Sequence, residues 1–435
     1  MDVLILYETK SRELENASLL SVELEKRGYS VCIKNIYSPF KYFTKPKVIV
    51  VPHLYDELQL VGFAKNIWLK NDAIIDLQYE QILGNDCDPI TDVHSPKGQA
   101  KFAHHIAWGE DQARRYKLCG IADENIHITG SMAMDLMRRE FDSYFFTRAQ
   151  VGAKFGLDLS KEWVLFISSF SYANRTEEEL KKYEKMDPNA REFSRISNES
   201  FEEIFKWLKN AAENYPNKIF IYRPHPAEKI DSRVLRLANE RKNFICIGEY
   251  SMRQWAKIVD RVYNWYSTSI ADIYFARKTC YILRPVPIEK NLEVSILAES
   301  SSIENYDDFV KSLSEQKYSF PIDSQKFEIF YGNGKGQMAY AQIADLCEKL
   351  ITGELKKHQF DYGSNRLDMY NLKSFRKYII NWLNVPFYIF CYLFKISKPL
   401  FVFKKKKYLL SLLKKDVYGA ADEINAYKKR FRSLV

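Results

Sequence analysis

The sequence predicts an α/β protein with two domains, each built on a parallel sheet. Three observations predict this fold class: the chain has 435 residues, short β-rich runs alternate with helix-length segments, and the alternation starts again at Trp163. Strands that are separated by helices imply βαβ units and therefore parallel strands. With 46% hydrophobic and 28% charged residues, the composition is that of a folded protein with a large core.

The first domain is predicted over residues 1–150. Its strands are the runs VLILYE, YSVCIKNI, KVIVVP, DAIIDLQYE, HHIAWG and NIHITG. Helical patterns separate these runs near residues 13–27, 54–65 and 111–119.

The second domain is predicted over residues 151–352, with strands in WVLFISSF, NKIFIYRPHP, NFICIGE, RVYNWYSTS and TCYILRP. Helical patterns lie near residues 201–214, 231–239 and 270–276, and the charged stretch 171–200 is predicted to be a long exposed loop. We expect the two domains to face each other across a cleft, because open α/β sheets bind ligands at the carboxyl ends of their strands.

Several function classes find no support in the sequence. The seven cysteines lie singly, without a CxxC pair or a close Cys/His cluster, so we expect reduced thiols and no bound metal. Neither GxGxxG nor GxxxxGK[ST] occurs, which leaves NAD binding and ATP hydrolysis without their usual fingerprints. The N-terminus MDVLILYE is typical of a first strand rather than a signal peptide, which predicts a cytoplasmic protein.

The first candidate motif is Arg223-Pro224-His225-Pro226, at the end of a predicted central strand. Two prolines end the strand's hydrogen bonding and hold the histidine rigidly at the sheet edge, where Arg223 and His225 can donate to a phosphate. The alternative is a rigid turn with a structural histidine.

The second candidate motif is Ser267-Thr268-Ser269, which lies between an apolar strand and a helical pattern. A hydroxyl at a helix start caps free N–H groups, and such a terminus also favours anions. We expect this strand to neighbour the strand of the His-Pro motif, so that the hydroxyls form an array of donors for a phosphate. Asp272, in the following helix, is interpreted as orienting these hydroxyls or capping the helix.

With these motifs, the chain resembles the GT-B glycosyltransferases of bacterial surface polysaccharide synthesis, in particular enzymes that use CMP-activated acidic sugars. Bacterial sialyltransferases and capsule-type Kdo transferases carry an HP motif and a later Ser/Thr pair that hold the CMP moiety; His225-Pro226 and Ser267-Thr268-Ser269 match these in order. The stretch 108–135 is also similar to proteins of this type. The resemblance covers roughly residues 1–350 and implies two Rossmann-like domains, with the acceptor in the first and the nucleotide-sugar donor in the second.

A neighbouring group shares the resemblance, namely the CDP-glycerol and CDP-ribitol phosphotransferases of teichoic acid synthesis. Their signature places an Asp before the serines, whereas this chain has Asn264 and Trp265 there, and no HG pair occurs in its first domain. The resemblance therefore favours a CMP-sugar donor, keeps a CDP-polyol donor as the alternative, and implies no cofactor beyond the donor itself. A GT-B epimerase and a non-catalytic scaffold of the glycan assembly machinery are the further alternatives.

Glycosyl transfer needs a base near the acceptor hydroxyl, and Glu80 is the first candidate. It follows an apolar strand and stands between Gln78 and Gln81, although the acidic motif of the related sialyltransferases does not occur here. The alternative is an exposed loop acid or an acid in the first turn of a helix, where the helix dipole favours it. The other acids and histidines of the domain that we consider are Asp86, Asp88, Glu110, His53, His94, His104 and His105. In the second domain, Glu249 ends the strand FICIGE and is a candidate for the nucleotide ribose.

The third part, residues 353–435, is predicted to be a basic helical tail. Residues 371–415 contain eleven Lys and Arg and no Asp or Glu, so the net charge of the rest of the chain is 9 − 11 = −2. Because the positive charge is confined to this one segment, we expect no nucleic-acid partner. The apolar run YIINWLNVPFYIFCYLF is short for a membrane span, and KKKK at 404–407 follows it. We expect an in-plane anchor on an anionic membrane, at the inner face of the cell membrane. The alternative is a helical hairpin buried against the rest of this chain or against a partner.

Overall fold

The computed structural model describes residues 1–38, 44–64, 73–185, 187–333, 336–360, 390–391, 393–394, 396 and 411–435. The chain forms two compact units. Unit 1 comprises residues 1–81, 88–135 and 328–435, and unit 2 comprises residues 82–87 and 136–327.

Unit 1 is built on a six-stranded parallel sheet with the order β2-β1-β3-β4-β5-β6. The strands are β1 Val3–Tyr7, β2 Val31–Asn35, β3 Val48–Val51, β4 Ile74–Asp76, β5 His104–Ala107 and β6 Ile126–Ile128. The helices are α1 Glu15–Lys26, α2 Glu57–Ala64, α3 Glu110–Leu118 and α4 Met132–Asp135. Strands β1 and β3 are buried along their whole length, as expected of central parallel strands with both faces covered.

Unit 2 repeats this design with the strand order β12-β11-β10-β7-β8-β9, again parallel throughout. The strands are β7 Glu162–Ile167, β8 Lys218–Arg223, β9 Phe244–Cys246, β10 Arg261–Asn264, β11 Thr279–Leu283 and β12 Ser302–Ile303. The helices are α5 Arg148–Phe155, α6 Glu177–Tyr183, α7 Ala190–Asn214, α8 Ser232–Glu240, α9 Met252–Ile258, α10 Ile270–Phe275, α11 Tyr306–Ser314 and α12 Ser324–Phe330, whose last residues pass into unit 1. All eleven strands expected from the sequence are present, and the short edge strand β12 is an addition.

The prediction of a loop over residues 171–200 is wrong. Helix α6 lies within this stretch, and α7 begins at Ala190, well before the predicted start near residue 201. Helix α6 has a complete capping box between Thr176 and Glu179. The polar composition of early α7 was misleading because its buried face uses small serines beside Phe193 and Ile196, while Arg195 pairs with glutamates on the solvent face.

The C-terminal part of the chain also differs from the predicted boundary at residue 352. Helix α13, Ala339–Thr352, belongs to unit 1 rather than to the second domain. Its apolar face is buried, and Arg27 at the end of α1 contacts Asp345 at 2.5 Å. This packing follows from amphipathicity, because a helix with one apolar face must cover another element.

Part of the predicted tail is likewise integrated into unit 1. Helix α14, Ala420–Phe431, packs beside α1, where Lys428 pairs with Glu25 at 2.5 Å. Leu413 and Phe431 are fully buried. Most of the predicted membrane segment 371–415 lies outside the described residues. In the part of the chain that the structure describes, no helix combines the length and apolar character needed to cross a bilayer.

Candidate functional site

The Arg-Pro-His-Pro motif leaves the carboxyl end of β8, as the sequence predicts. Arg223 is the last residue of β8, and its Nη2 donates to the carbonyl of Tyr250 at 2.8 Å. Its Nε is buried without a hydrogen-bond partner among the described residues. Burial lowers the pKa of Arg223, and the nearby Asp272 carboxylate acts in the opposite direction. A buried guanidinium N–H without an acceptor is a position where an anion would be favoured.

The ring of His225 is held in one tautomer. The backbone N–H of Ala227 donates to Nδ1 of His225 at 3.1 Å, so Nδ1 carries no proton and the neutral ring carries it on Nε2. Partial burial lowers the pKa of His225, Arg223 acts in the same direction and Glu228 opposes it. Nε2 makes no hydrogen bond with any described residue, so this N–H is a donor ready for an external acceptor such as a phosphate oxygen.

Glu228 fixes the loop that carries His225, and sequence reasoning missed it. Its carboxylate accepts from Ser168 Oγ at 2.5 Å, from Tyr222 OH at 2.6 Å and from the backbone N–H of His225 at 3.1 Å. The hydroxyl of Tyr222 also lies 2.9 Å from Ser168 Oγ. Two features of the sequence could have indicated this role: Glu228 stands three residues after the histidine, and a serine pair stands in FISSF.

The hydroxyl run 267–269 makes the turn from β10 into α10. The N–H of Ser267 donates to Asn264 Oδ1 at 3.0 Å, and the N–H of Ser269 donates to Ser267 Oγ at 3.2 Å. Ser269 precedes the first residue of α10, but its own hydroxyl does not cap the helix. Thr268 is exposed.

The expectation that β10 lies next to β8 is wrong, because β7 pairs with both and separates them. This arrangement adds Ser168 and Ser169 at the end of β7 to the edge that carries the two predicted motifs. Strands β8, β7 and β10 are adjacent and parallel, so their carboxyl ends share one edge of the sheet in unit 2.

The two acids proposed for this domain lie in different surroundings. Glu249 follows the edge strand β9, is 60% exposed and pairs with Lys154 at 2.5 Å. That Glu249 contacts the ribose of the nucleotide stays a prediction. Asp272 is buried in α10, where its carboxylate lies 3.4 Å from Nε of Arg253 and contributes to the electrostatic environment of Arg223. We interpret Asp272 as the negative charge that balances the half-buried guanidinium groups of Arg223 and Arg253.

Glu80 lies in unit 1, beyond the carboxyl end of β4. Its carboxylate forms an ion pair with the guanidinium of Arg12, which also pairs with the buried Glu13 at 3.0 Å. Glu13 in turn accepts from the backbone N–H of Glu8 at 2.6 Å, and burial raises the pKa of Glu13. Glu80 therefore belongs to a network of charged groups rather than to an isolated exposed loop.

Histidine and aromatic side chains surround this network. His53, after β3, stacks on Tyr55 with ring centroids 4.9 Å apart, and its Nδ1 lies 3.8 Å from a carboxylate oxygen of Glu8. Burial lowers the pKa of His53 although Glu8 acts in the opposite direction. Gln78 has a left-handed backbone with φ 42°, which is unusual for a residue other than glycine and is a form of strain that clusters at functional sites.

Three of the other candidates in this unit, Glu110, Asp88 and His105, have structural surroundings. Glu110 is the first residue of α3, and Asp88 accepts the N–H of Ile90 within its own turn at 3.0 Å. His105 is fully buried and bonds to Asp76 at 2.9 Å. The structure thus gathers Glu8, Arg12, His53 and Glu80 at the ends of β1, β3 and β4, which are neighbours in the sheet.

Comparison with known proteins supports the architecture. No protein-family model matches the chain, and no curated protein matches it. Among solved structures, a variant of the wall teichoic acid polymerase TagF has a TM-score of 0.52 at 12% identity, covering 82% of this chain and 90% of that one. A putative UDP-N-acetylglucosamine 2-epimerase from Listeria monocytogenes has a TM-score of 0.52 at 10% identity, covering 83% of this chain and 99% of that one. A second TagF variant has a TM-score of 0.51 at 13% identity, covering 82% and 90%.

These likenesses and the two parallel sheets establish the fold class. The protein has the GT-B fold, with two Rossmann-like units, as the sequence predicts. At 10–13% identity, the likeness speaks for the fold alone.

Proposed function

We propose that this protein is a metal-independent glycosyltransferase that takes its sugar from a nucleotide-activated donor. The observation that carries the proposal is the edge of the sheet in unit 2, where β8, β7 and β10 end side by side. It combines the guanidinium of Arg223, the Nε2–H of His225 and the hydroxyls of Ser267, Thr268 and Ser269. Pro226 restricts the backbone beside the histidine.

The chemistry of this edge suits a departing phosphate. When the bond between the sugar and the phosphate breaks, the electron pair stays on the phosphate oxygen, and preorganised donors stabilise that charge. Arg223 supplies a fixed positive charge, and His225 supplies a neutral N–H donor whose direction Ala227 and Glu228 hold. In this proposal His225 is catalytic, and Glu249 is kept as a candidate contact for the ribose.

The donor that we place first is a CMP-activated acidic sugar, of the Kdo or sialic-acid type. Support comes from the HP motif and the hydroxyl run in the order that such transferases have. A CDP-linked polyol is the second candidate, and the fold likeness to the wall teichoic acid polymerase TagF favours keeping it. The epimerase that shares the fold acts on a UDP-sugar by its name, so uridine nucleotides belong in any test.

The acceptor half of the reaction is proposed for unit 1. Glu80 would accept the proton of the acceptor hydroxyl while the oxygen of that hydroxyl attacks the donor sugar. The pairing of Glu80 with Arg12 holds the carboxylate in place, but it also occupies one of its oxygens. If no carboxylate of this unit proved necessary, the protein would instead be a scaffold of the assembly machinery.

We further propose a lipid-linked surface glycan as the acceptor, met at the inner face of the cell membrane. The support is the basic and aromatic composition of residues 371–415, which is typical of segments that bind anionic lipid at the interface. The protein would then be cytoplasmic and peripheral on the membrane.

The test is calorimetric titration of the full-length chain with CMP, CDP, UMP, UDP and GDP. The full chain is needed because residues 411–435 pack on unit 1. His225→Ala is compared with Lys229→Ala, a nearby exposed residue that pairs with Glu179. Preferential binding of cytidine nucleotides that is lost only in His225→Ala supports a cytidine-activated donor. Within that class, CMP bound at least as tightly as CDP favours the CMP-sugar, and CDP bound more tightly than CMP favours the polyol donor, whose cytidine carries two phosphates. Preference for uridine or guanosine nucleotides, or no binding, overturns the cytidine proposal.

A further inference from the structure

The loop 8–14, which follows β1, carries the charged groups of the unit 1 site. Its π-helical turn Lys10–Leu14 projects Arg12 toward Glu80, and Glu13 accepts backbone N–H groups at the start of the same loop. The position of the Arg12–Glu80 pair therefore depends on how firmly this short turn is held.

The opposite side of the loop is held by the C-terminal segment of the chain. The backbone N–H of Lys10 donates to Oδ1 of Asp416 at 3.1 Å. The ammonium of Lys10 donates to the carbonyl of Tyr418 at 2.7 Å and to Glu423 at 2.6 Å. Residues more than 400 positions apart in the sequence thus share a single cluster.

The same segment reaches the ends of the strands beneath the loop. The carbonyl of Asp416 accepts from the hydroxyl of Tyr7 at 2.8 Å and from Nδ2 of Asn35 at 3.3 Å. Asn35 also donates to the carbonyl of Glu8 at 2.8 Å. Asp416 is only 3% exposed, and a carboxylate is costly to bury unless it is hydrogen-bonded. The hydrogen bond from the Lys10 N–H therefore fixes the position of this carboxylate.

We propose that residues 413–423 form a strut that holds the loop 8–14, and with it the Arg12–Glu80 pair, in its working position. Asp416 is the central positioning residue of this strut. It acts through Lys10 and does not itself touch the reacting atoms. The consequence for sugar transfer rests on the proposed function, whereas the mechanical role of the strut does not.

The contacts of the strut are separate from the ion pairs that attach the C-terminal residues to α1. Helix α14 is already attached to α1 by the pairs of Lys428 and Arg432 with Glu25. The side-chain carboxylates of Asp416 and Glu423 bond instead to Lys10, which stands two positions before Arg12. Removing them should loosen the loop while α14 stays docked.

The test is amide hydrogen exchange of the full-length protein, followed by mass spectrometry of peptides that cover residues 8–14. Asp416→Ala removes the acceptor of the Lys10 N–H, and exchange in this loop should become roughly tenfold faster. Asp416→Asn retains an oxygen acceptor and should exchange like the unmodified protein. Lys428→Ala is the matched control, since it breaks an ion pair of α14 that lies away from the loop.

A second variant keeps the test decisive if Asp416→Ala fails to fold. Lys10→Ala removes the bonds to Tyr418 and Glu423 but keeps the backbone, and it should also accelerate exchange in residues 8–14. Unchanged exchange in this loop in every folded variant of Asp416 and Lys10 overturns the strut. In the activity assay, Asp416→Ala should lower kcat and leave nucleotide affinity unchanged. A normal kcat with faster exchange would limit the strut to a mechanical role, and absent nucleotide binding would contradict the proposed function alone.

Discussion

At the scale of single residues, His225 is the side chain whose environment most constrains its chemistry. Its Nδ1 is committed to the Ala227 N–H, so protonation at Nδ1 would sacrifice that bond. This geometry and the lowered pKa agree, because both favour the neutral ring. A histidine without these contacts would have neither constraint.

We therefore expect His225 to titrate below the ordinary histidine value of about 6.5. Because its folded-state pKa is lowered, the stability that it contributes is complete above the unfolded value and is lost as the pH falls through the folded pKa. Nitrogen NMR of the histidine rings at pH 7 should show the Nε2–H tautomer, with His225→Asn providing the assignment. An Nδ1–H tautomer, or a pKa above the ordinary value without ligand, would contradict the geometry.

Glu80 gives a second prediction at this scale. If Glu80 is the general base, Glu80→Gln should lower kcat by about 10²–10⁴-fold and leave the affinity for the donor nucleotide unchanged. Glu110→Gln, a substitution at the exposed start of α3, is the control and should have little effect. Near-normal turnover in Glu80→Gln would reduce Glu80 to a structural partner of Arg12.

At the scale of elements, the turn after β8 depends on the carboxylate of Glu228. Glu228→Ala would leave the hydroxyl of the buried Tyr222 with only Ser168, and we expect a loss of about 1–3 kcal/mol in the free energy of unfolding. Urea denaturation measures this loss. The double variant with Tyr222→Phe should lose less than the sum of the single variants, and strict additivity would mean that the two groups do not act as one network.

At the scale of the whole molecule, the C-terminal residues complete unit 1. Deleting residues 411–435 removes the buried Leu413 and Phe431 and uncovers the face of α1 that carries Glu25. Differential scanning calorimetry should show a lower melting temperature for the transition of unit 1, with that of unit 2 unchanged. An unaltered thermogram would mean that α14 adds nothing to the stability of unit 1.

The basic segment, which lies mostly outside the described residues, gives a prediction from sequence alone. Changing all four lysines at 404–407 to serine should weaken binding to anionic vesicles by up to roughly three powers of ten, at about 1 kcal/mol for each charge. Lys181 and Lys182, both changed to serine on the solvent side of unit 2, serve as the control. Vesicle sedimentation that is equal in the two variants would contradict membrane binding through this segment.

The sequence by itself determined the strands, their parallel arrangement and the place of the His-Pro motif. Periods of apolar residues and the two prolines are local signals, and local chemistry was sufficient for these elements. The hydroxyl run was also found locally, because it stands between an apolar strand and a helix.

Only the tertiary structure decided the order of the strands and the partners of the site. The insertion of β7 between β8 and β10 brought Ser168 to Glu228, a contact between residues 60 positions apart. Likewise, the hydrogen bond from the Lys10 N–H to Asp416 joins residues 406 positions apart, which only the folding of unit 1 brings together. Local sequence patterns encode which face of an element is apolar, whereas the choice of the surface that covers it depends on packing complementarity across the folded chain.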